Sequence, residues 1–317
     1  MRAMTSDFEE RLVLGRSALD RAAEDRDRPI EEALAAPSTR VVVLAGRRAL
    51  RRPGDPVRLA YLPASEAPDG ALLLRLGRAL PADPELDAGA AVLGAVVADE
   101  SALPGAAWAD LRLDGADLGD RDAGVFAELL GLANWHASSG YSPRTGQPTV
   151  PARGGWVRHP AGFDEESSGE HVFPRTDPAV IMGVVDDRDR LLLASNTAWP
   201  EDRWSVLAGF VEPGESFETA VRRETSEETG IDVGECVYLG SQPWPFPASV
   251  MIGFLARTAP GGRTEPAADG VEIREARFWS RDELVAAQGD SVHLPGRTSI
   301  ARAIIEHWYG GPLEGDW

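Results

Sequence analysis

Three glutamates at helical spacing are the residues of this chain best suited to chemistry. Glu224, Glu227 and Glu228 lie three and four positions apart, so one helix would bring them to one side. Buried carboxylates of like charge are costly unless a cation lies among them. Mg²⁺ and related ions take oxygen ligands. The spacing therefore predicts a divalent-metal site, and the alternative is a solvated helix with a run of glutamates.

The helix that must position these glutamates has a clear beginning. Ser216 is a suitable N-cap residue, and the glycine-rich stretch Gly209–Gly214 before it predicts a loop. Phe217, Ala220 and Val221 then fall at the spacing of a core-facing apolar stripe. The core-facing side of this helix is thus expected to change from apolar to acidic along its length.

Composition excludes several classes of function. The net charge of −19 argues against a broad basic surface for nucleic-acid backbones. The chain has no lysine, which excludes lysine nucleophiles, and Cys236 is its only cysteine, which excludes an internal disulfide and a thiolate metal cage. No apolar run approaches the roughly 20 residues of a membrane span, and the N-terminus lacks the apolar core of a signal peptide, so a cytoplasmic location is expected.

The 317 residues leave room for two domains with sizeable cores. Residues 1–131 are expected to form a mixed α/β domain with strands at 40–45, 71–76 and 91–97 and a helix at 122–135. This part shows no nucleophile–base pair, phosphate loop or metal spacing. A scaffold or dimerisation role is therefore expected for it.

Residues 175–317 show a second alternation of strands and helices. Strands are predicted at 179–185, 190–194, 204–208, 236–239, 250–255 and 276–279, and helices after the capping box at 280–283 and at 299–309. Mixed strands flanked by helices predict an α/β/α sandwich.

The acidic helix and the loop before it resemble the Nudix box, Gly-x5-Glu-x7-Arg-Glu-(apolar)-x-Glu-Glu-x-Gly-(apolar). Eight positions match in register: Gly209, Glu215, Arg223, Glu224, Glu227, Glu228, Gly230 and Ile231. Thr225 stands where the family usually has an aliphatic residue. The resemblance implies the Nudix α/β/α fold and metal-dependent hydrolysis of a nucleoside diphosphate linked to another group.

A proline-rich segment follows the box, and its alternating prolines cannot belong to a central strand. Its aromatic rings suit stacking on a flat ring, whereas a surface turn with buried aromatics is the alternative. The segment resembles the Ser-Gln-Pro-Trp-Pro-Phe-Pro-x-Ser signature of the NADH pyrophosphatase branch of Nudix enzymes. The resemblance implies substrate contacts by Gln242, Pro243, Trp244, Pro245, Phe246, Pro247, Ala248 and Ser249.

That branch carries a zinc ribbon with paired Cys-x-x-Cys motifs where this chain has residues 132–174. Ser142 and Thr145 occupy the places of the first cysteine pair, and no second pair follows. Because hydroxyl groups do not replace thiolates around zinc, a zinc-free remnant of the ribbon is predicted. The alternative is a substitute site built from His136, His159 and His171.

The resemblance also implies roles for the residues of the box. Glu224, Glu227 and Glu228 are expected to bind metal, and Glu227 or Glu228 to serve as the base, a choice that stays open. Arg223 lies four residues before Glu227 and is expected to orient it, with a surface ion pair as the alternative. Glu215 is expected either to tether the loop or to support the metals without binding them directly.

Three further residues match family positions outside these two motifs. Phe210 matches the position that stacks on the nicotinamide end, and Glu272 matches a late glutamate close to metal and substrate. An exposed acid at a strand edge is the alternative for Glu272. Ala301 matches a position that touches substrate through a partner subunit, so a homodimer is expected.

The implied reaction is hydrolysis of NAD(H) to AMP and nicotinamide mononucleotide with Mg²⁺ or Mn²⁺ and without zinc. Three alternatives stay open. The chain could be a broader hydrolase that acts on ADP-ribose, or an enzyme that removes a 5′ NAD cap from RNA, in which case only the cap need enter the site. It could also be a nucleotide sensor without catalytic activity. The expected domains are 1–131 as scaffold, 132–174 as ribbon remnant and 175–317 as hydrolase.

Overall fold

A computed structural model describes residues 8–16, 19–162 and 170–315, which divide into two compact units. The first unit comprises the described residues of Arg16–Thr176 together with Trp244–Ala248. The second comprises those of Met1–Gly15, Asp177–Pro243 and Ser249–Trp317. The expected boundaries at 131 and 174 stay predictions. Across the described ranges, no helix has the length and apolar character needed to cross a membrane.

The first unit is built on a seven-stranded sheet in the order β1-β5-β6-β2-β3-β7, with β4 paired to β2. Its elements are β1 (Leu19–Asp20), α1 (Ile30–Ala35), β2 (Arg40–Ala45), β3 (Arg48–Arg51), β4 (Leu62–Pro63), β5 (Leu72–Ala79), β6 (Ala91–Val97), β7 (Ala107–Asp110), α2 (Leu111–Asp114), α3 (Asp120–Ser138), β8 (Thr149–Ala152) and β9 (Val157–Pro160). Among the strand pairs of this unit within the described residues, β2 and β6 are parallel and the others are antiparallel. Strands β8 and β9 form a separate two-stranded sheet.

The three strands and the helix predicted in this region are confirmed. The central strand β2 reads as a continuous apolar run because both of its faces are covered, and Val41 to Leu44 are fully buried. Helix α3 packs closely on β6, where a Cβ added to Gly94 would lie 2.3 Å from a methyl of Leu129. The glycine is therefore what allows helix and sheet to approach at this point.

The second unit contains a six-stranded mixed sheet in the order β13-β14-β10-β11-β15, with β12 paired to β10. Its elements are β10 (Asp177–Val185), β11 (Leu191–Asn196), β12 (Leu207–Phe210), α4 (Phe217–Thr229), β13 (Val233–Trp244), β14 (Ser249–Thr258), β15 (Ile273–Trp279), α5 (Arg281–Ala287) and α6 (Ile300–Tyr309). Strands β10 and β14 run parallel, while β11 and β12 are antiparallel to β10.

Alternation along β10 makes this unit an α/β/α sandwich. Val180, Met182 and Val184 belong to the core that also contains buried residues of α4. Ile181 and Val185 point the other way, into the core shared with α6. Successive side chains of a strand face opposite sides, so one apolar strand serves both layers. The predicted sandwich is confirmed, and it fixes α4 against one face of the sheet.

Candidate active site

Helix α4 presents the acidic residues and is capped at both ends. The Ser216 hydroxyl accepts a hydrogen bond from the Thr219 N–H at 3.2 Å, as predicted. Gly230 ends the helix with φ +68°, a conformation that suits glycine. Ala220 and Val221 are fully buried, but Phe217 is 42% exposed, so its assignment to the core-facing stripe was wrong. The buried stripe begins one turn later, where the helix meets the sheet.

Glu228 is a buried carboxylate with an unsatisfied oxygen. Glu228 is only 6% exposed, and its Oε2 has no hydrogen-bond partner among the described residues. Burial first, and then the negative charges of Glu224, Glu272 and Asp269, raise the pKa of Glu228 to about 8. A carboxylate in these surroundings needs either a proton or a nearby cation.

Arg223 connects the other acidic residues of the box. Its Nε and Nη2 donate to the two oxygens of Glu215 at 3.1 and 2.6 Å. Its Nη1 donates to Glu224 at 2.9 Å and to Glu227 at 3.0 Å. Nη2 also donates to the carbonyl of Phe210 at 2.9 Å. One guanidinium therefore holds the strand, the loop and two glutamates of α4 in register, and its hydrogen bonds lower the pKa of Glu215.

Gly209 makes room for one of these carboxylates. It lies within β12 opposite Val180, so the loop begins later than predicted and the predicted strand at 204–208 is shifted toward the C-terminus. A Cβ at this position would lie 1.9 Å from the carboxyl carbon of Glu224. The Glu224 carboxylate thus occupies the space that any other residue's side chain would fill. Burial raises its pKa.

Glu227 and Glu272 are more open to solvent than the other glutamates. The side chain of Glu227 is 59% exposed, and Glu272 is also exposed. The charge of Glu272 nevertheless contributes to the raised pKa of Glu224 and of Glu228, which places it near both. The structure therefore brings Glu272 to the box, although it lies far along the chain.

Asp269 belongs to this group and was missed in the sequence. Its Oδ1 accepts hydrogen bonds from the N–H groups of Val271, Glu272 and Ile273 at 2.8 to 3.2 Å, and its own N–H donates to the Glu228 carbonyl at 3.2 Å. The Asp-Gly pair at 269–270 is a turn signal that could have indicated this loop. Asp269 fixes the backbone that carries Glu272.

The donor chemistry of the cluster fits a hard divalent cation. Carboxylate oxygens from Glu224, Glu227 and Glu228 are the ligands that Mg²⁺ and Mn²⁺ prefer, and Glu228 Oε2 is free to accept one. As the side chains stand, no three histidine, cysteine or acidic groups of the described ranges enclose a metal position. Arg223 instead neutralises Glu224 and Glu227. A metal would therefore bind through Glu228 together with a rearrangement of carboxylates now bonded to Arg223.

The raised pKa of Glu228 predicts a pH-dependent stability of the metal-free protein. The folded state keeps the Glu228 proton up to a pKa of about 8, against an ordinary value of 4.5. Stability from this group is therefore complete below the ordinary value and falls as pH rises toward 8, by at most about 4–5 kcal/mol. Urea unfolding in EDTA across this range measures the loss. Glu228→Gln should flatten this part of the profile, and an unchanged profile would contradict the assignment.

Residues 175–297 match the NUDIX domain family. The chain contains a NUDIX domain. The acidic helix α4, the loop before it and the late loop with Asp269 and Glu272 all lie inside the matched residues.

The relatives of this chain share names that refer to NAD. The chain is 47% identical over 208 residues to a Mycobacterium bovis protein named NAD-capped RNA hydrolase NudC, covering 63% of this chain and 64% of that protein. It is 38% identical over 199 residues to the human NAD-capped RNA hydrolase NUDT12, covering 60% of this chain and 42% of that protein. The chain thus matches less than two thirds of the length of these relatives.

Solved NUDIX structures are also similar to part of the chain. A NUDIX hydrolase from Nitrosomonas europaea is 21% identical, with a TM-score of 0.37 over 55% of this chain and 94% of that one.

The proline-rich segment begins at the edge of the NUDIX sheet. Gln242 is buried in β13, where its Oε1 accepts from the Leu14 N–H at 3.3 Å and its Nε2 donates to the Thr298 carbonyl at 2.9 Å. Because β13 is the terminal strand of the sheet, Pro243 sits on an edge, as the sequence predicted. The Gln242 amide therefore ties three parts of its own unit together.

The residues after Pro243 form a compact turn in the first unit. The rings of Trp244 and Phe246 pack edge to face with centroids 4.8 Å apart, and both are half-buried. Asn134 Nδ2 donates to the carbonyls of Pro245 and Pro247, each at 3.0 Å. Ala248 is half-buried, and Ser249 begins β14. The two aromatic rings therefore form one packed pair within this turn.

Phe210, Ala301 and Thr225 differ in their surroundings. Phe210 is 61% exposed at the end of β12 and is free to stack on a flat group. Ala301 is only 3% exposed and belongs to the core around α6. Thr225 is fully buried, and its hydroxyl donates to the Val221 carbonyl one turn earlier at 2.8 Å. The hydroxyl that breaks the family pattern is thus satisfied within the helix.

The ribbon-like segment uses its polar groups internally. Ser142 is buried, and its Oγ accepts from the N–H groups of Arg144 and Thr145 at 3.3 Å. His136 contacts the Gly155 carbonyl through Nε2 and Arg158 through Nδ1, each at 2.8 Å. Burial lowers the pKa of His136. Both imidazole nitrogens are therefore engaged in hydrogen bonds, which argues against the substitute histidine site.

Proposed function

We propose that this chain hydrolyses the pyrophosphate bond of NAD-linked substrates, with the NAD cap of RNA as the first candidate and free NAD(H) as the second. The observation that carries the proposal is the buried Glu228 carboxylate, unpaired on one oxygen and surrounded by four other acids. The names of the relatives favour the capped RNA. The products would be nicotinamide mononucleotide and either AMP or RNA with a 5′ monophosphate.

Glu224, Glu227, Glu228 and Glu272 would hold Mg²⁺ or Mn²⁺. When bound, such an ion neutralises charge on the pyrophosphate and lowers the pKa of an attacking water. Glu215 fixes Arg223 through two hydrogen bonds, and Arg223 in turn orients Glu224 and Glu227. The same guanidinium can exchange a carboxylate for a phosphate oxygen when a substrate enters.

Of the two candidate bases, Glu228 fits the role better. Arg223 Nη1 donates to Glu227 at 3.0 Å, so this carboxylate is already engaged in an ion pair. Glu228 has an oxygen without a partner and a pKa raised by its surroundings, so it binds a proton readily. We propose that Glu228 acts as the base and accepts the proton of the attacking water. The aromatic ring of Phe210 and the segment from Gln242 to Ser249 would contact the dinucleotide, with Ala301 acting through a second copy in a homodimer.

Product analysis with four substrates tests the proposal. NAD-capped RNA, NADH, NAD⁺ and ADP-ribose are supplied in parallel with Mg²⁺ and then with Mn²⁺. We expect cleavage between the two phosphates, with a kcat/KM for NAD-capped RNA at least about 10-fold above that for ADP-ribose. Equal rates with ADP-ribose would contradict the NAD-specific part. Binding without any turnover would favour the nucleotide sensor instead.

A further inference from the structure

Two arginines converge on the aromatic pair of the proline-rich turn. The guanidinium carbon of Arg112 lies 5.3 Å from the ring centroid of Trp244 and 4.9 Å from that of Phe246. The guanidinium carbon of Arg47 lies 5.6 Å from the same Phe246 ring. Arg47 comes from the turn between β2 and β3, and Arg112 from the first turn of α2. Four side chains from three separate parts of the first unit thus form one cluster.

Neither guanidinium forms an ion pair within the described ranges, although the negative charge of Asp110 acts to raise the pKa of Arg112. Arg47 and Arg112 take part in no ion pair and no side-chain hydrogen bond there, whereas the neighbouring Arg48 pairs with Glu100 at 3.3 Å. The acid closest in sequence, Asp110, accepts from the backbone N–H groups of Arg112 and Leu113 as the cap of α2. Two guanidinium groups without an ion pair thus share one aromatic pair, and both keep N–H donors for an anion.

The two guanidinium groups of the cluster repel each other. Burial against the rings and then the charge of Arg47 lower the pKa of the Arg112 guanidinium. The repulsion between the two arginines is therefore relieved by a negative group that contacts both. Trp244 and Phe246 offset this repulsion only in part, because cation–π contacts at exposed sites are weak.

The turn that carries the rings is held in place before any ligand arrives. Asn134, on α3, donates from one amide nitrogen to the carbonyls on either side of Phe246, those of Pro245 and Pro247. A site whose parts are already positioned loses less conformational entropy on binding. The cluster therefore has the properties of a preformed binding position.

We propose that Arg47 and Arg112 bind a phosphate group of the substrate. A guanidinium presents two parallel N–H donors that match phosphate oxygens, and two such groups provide a clamp with more donors than one phosphate needs. The phosphate comes either from the RNA chain behind the cap or from the dinucleotide itself. The identity of the substrate rests on the proposed function, but the binding of a phosphate does not.

Binding without divalent metal tests the clamp independently of hydrolysis. Single-stranded RNA with a 5′ monophosphate is titrated by fluorescence anisotropy, and NADH by its own fluorescence, against the double variant Arg47→Gln, Arg112→Gln. We expect at least one ligand to bind about 5-fold or more weakly, and for RNA the slope of log K against log salt to fall by about 0.7, the value for one lost phosphate contact on a single strand. Arg48→Gln removes a neighbouring charge that is already paired and should leave both affinities unchanged.

The pattern of losses identifies the source of the phosphate. A loss for RNA alone assigns the clamp to the RNA chain, and a loss for NADH assigns it to the dinucleotide. Equal affinities for wild type and double variant, or an equal loss in Arg48→Gln, would overturn the proposal. If the double variant unfolds, the same titrations are made with the single variant Arg47→Gln. This substitution should leave the fold intact because Arg47 is an exposed turn residue. A chain that binds RNA in this way but hydrolyses nothing would refute the proposed function and leave the clamp standing.

Discussion

Glu228→Gln is expected to lower metal-dependent hydrolysis by about 1,000-fold or more. The substitution keeps the size of the side chain but replaces a group that can ionise with a neutral amide, so it can neither bind a cation as a carboxylate nor accept the proton of water. The loss should appear in kcat/KM for NAD-capped RNA and NADH with Mg²⁺. Thermal unfolding should show that Mg²⁺ stabilises the wild type and no longer stabilises the variant.

Glu218→Gln is the matched control for this substitution. Glu218 lies on the same helix, in its first turn, and its side chain is exposed. It makes the same replacement of a carboxylic acid by an amide without touching the acidic cluster, so hydrolysis should stay within about 2-fold of the wild type. A Glu228→Gln variant that folds and keeps more than about a tenth of wild-type activity would refute the role of Glu228 as base and ligand.

The spacing of residues predicted much of the helix that carries this site. Glu224 and Glu228 are four residues apart, which is close to one helical turn, and they follow Ala220 and Val221 onto the side that faces the sheet. Both have a raised pKa because of burial. Glu227 lies one residue before Glu228, about 100° away around the helix, and its side chain is exposed. Helical periodicity alone could have separated these two glutamates.

The contacts that complete the site depend on the fold and leave little trace in local sequence. Asp269 and Glu272 reach the box from a loop about forty residues further along the chain, so no helical or strand period connects them to Glu228. The two hydrogen bonds between Arg223 and Glu215 require the return of the loop onto α4. The aromatic turn could be recognised as rigid from its prolines. Its arginine neighbours, Arg47 and Arg112, could not be found from sequence, because they lie more than one hundred residues away.

Gly209→Ala is expected to lower hydrolysis by about 100-fold while the protein still folds. The φ of Gly209 is outside the left-handed region, so the backbone accepts alanine without strain. The added methyl would lie 1.9 Å from the carboxyl carbon of Glu224, which must move away. The moving atoms are the far end of a flexible side chain, so the free energy of unfolding should change by no more than about 1 kcal/mol. Kinetics with Mg²⁺ and urea unfolding of the same preparation measure both effects.

The contrast between activity and stability is what makes this substitution informative. Gly311→Ala is the control, because Gly311 lies in the same unit and a Cβ there would meet nothing within 4 Å. It should change neither hydrolysis nor unfolding. If Gly209→Ala lowered stability and activity together, the glycine would serve the packing of β12 against α4. If it lowered activity alone, a displaced Glu224 would be the cause, since the fold would remain and only the position of that carboxylate beside Arg223 would differ.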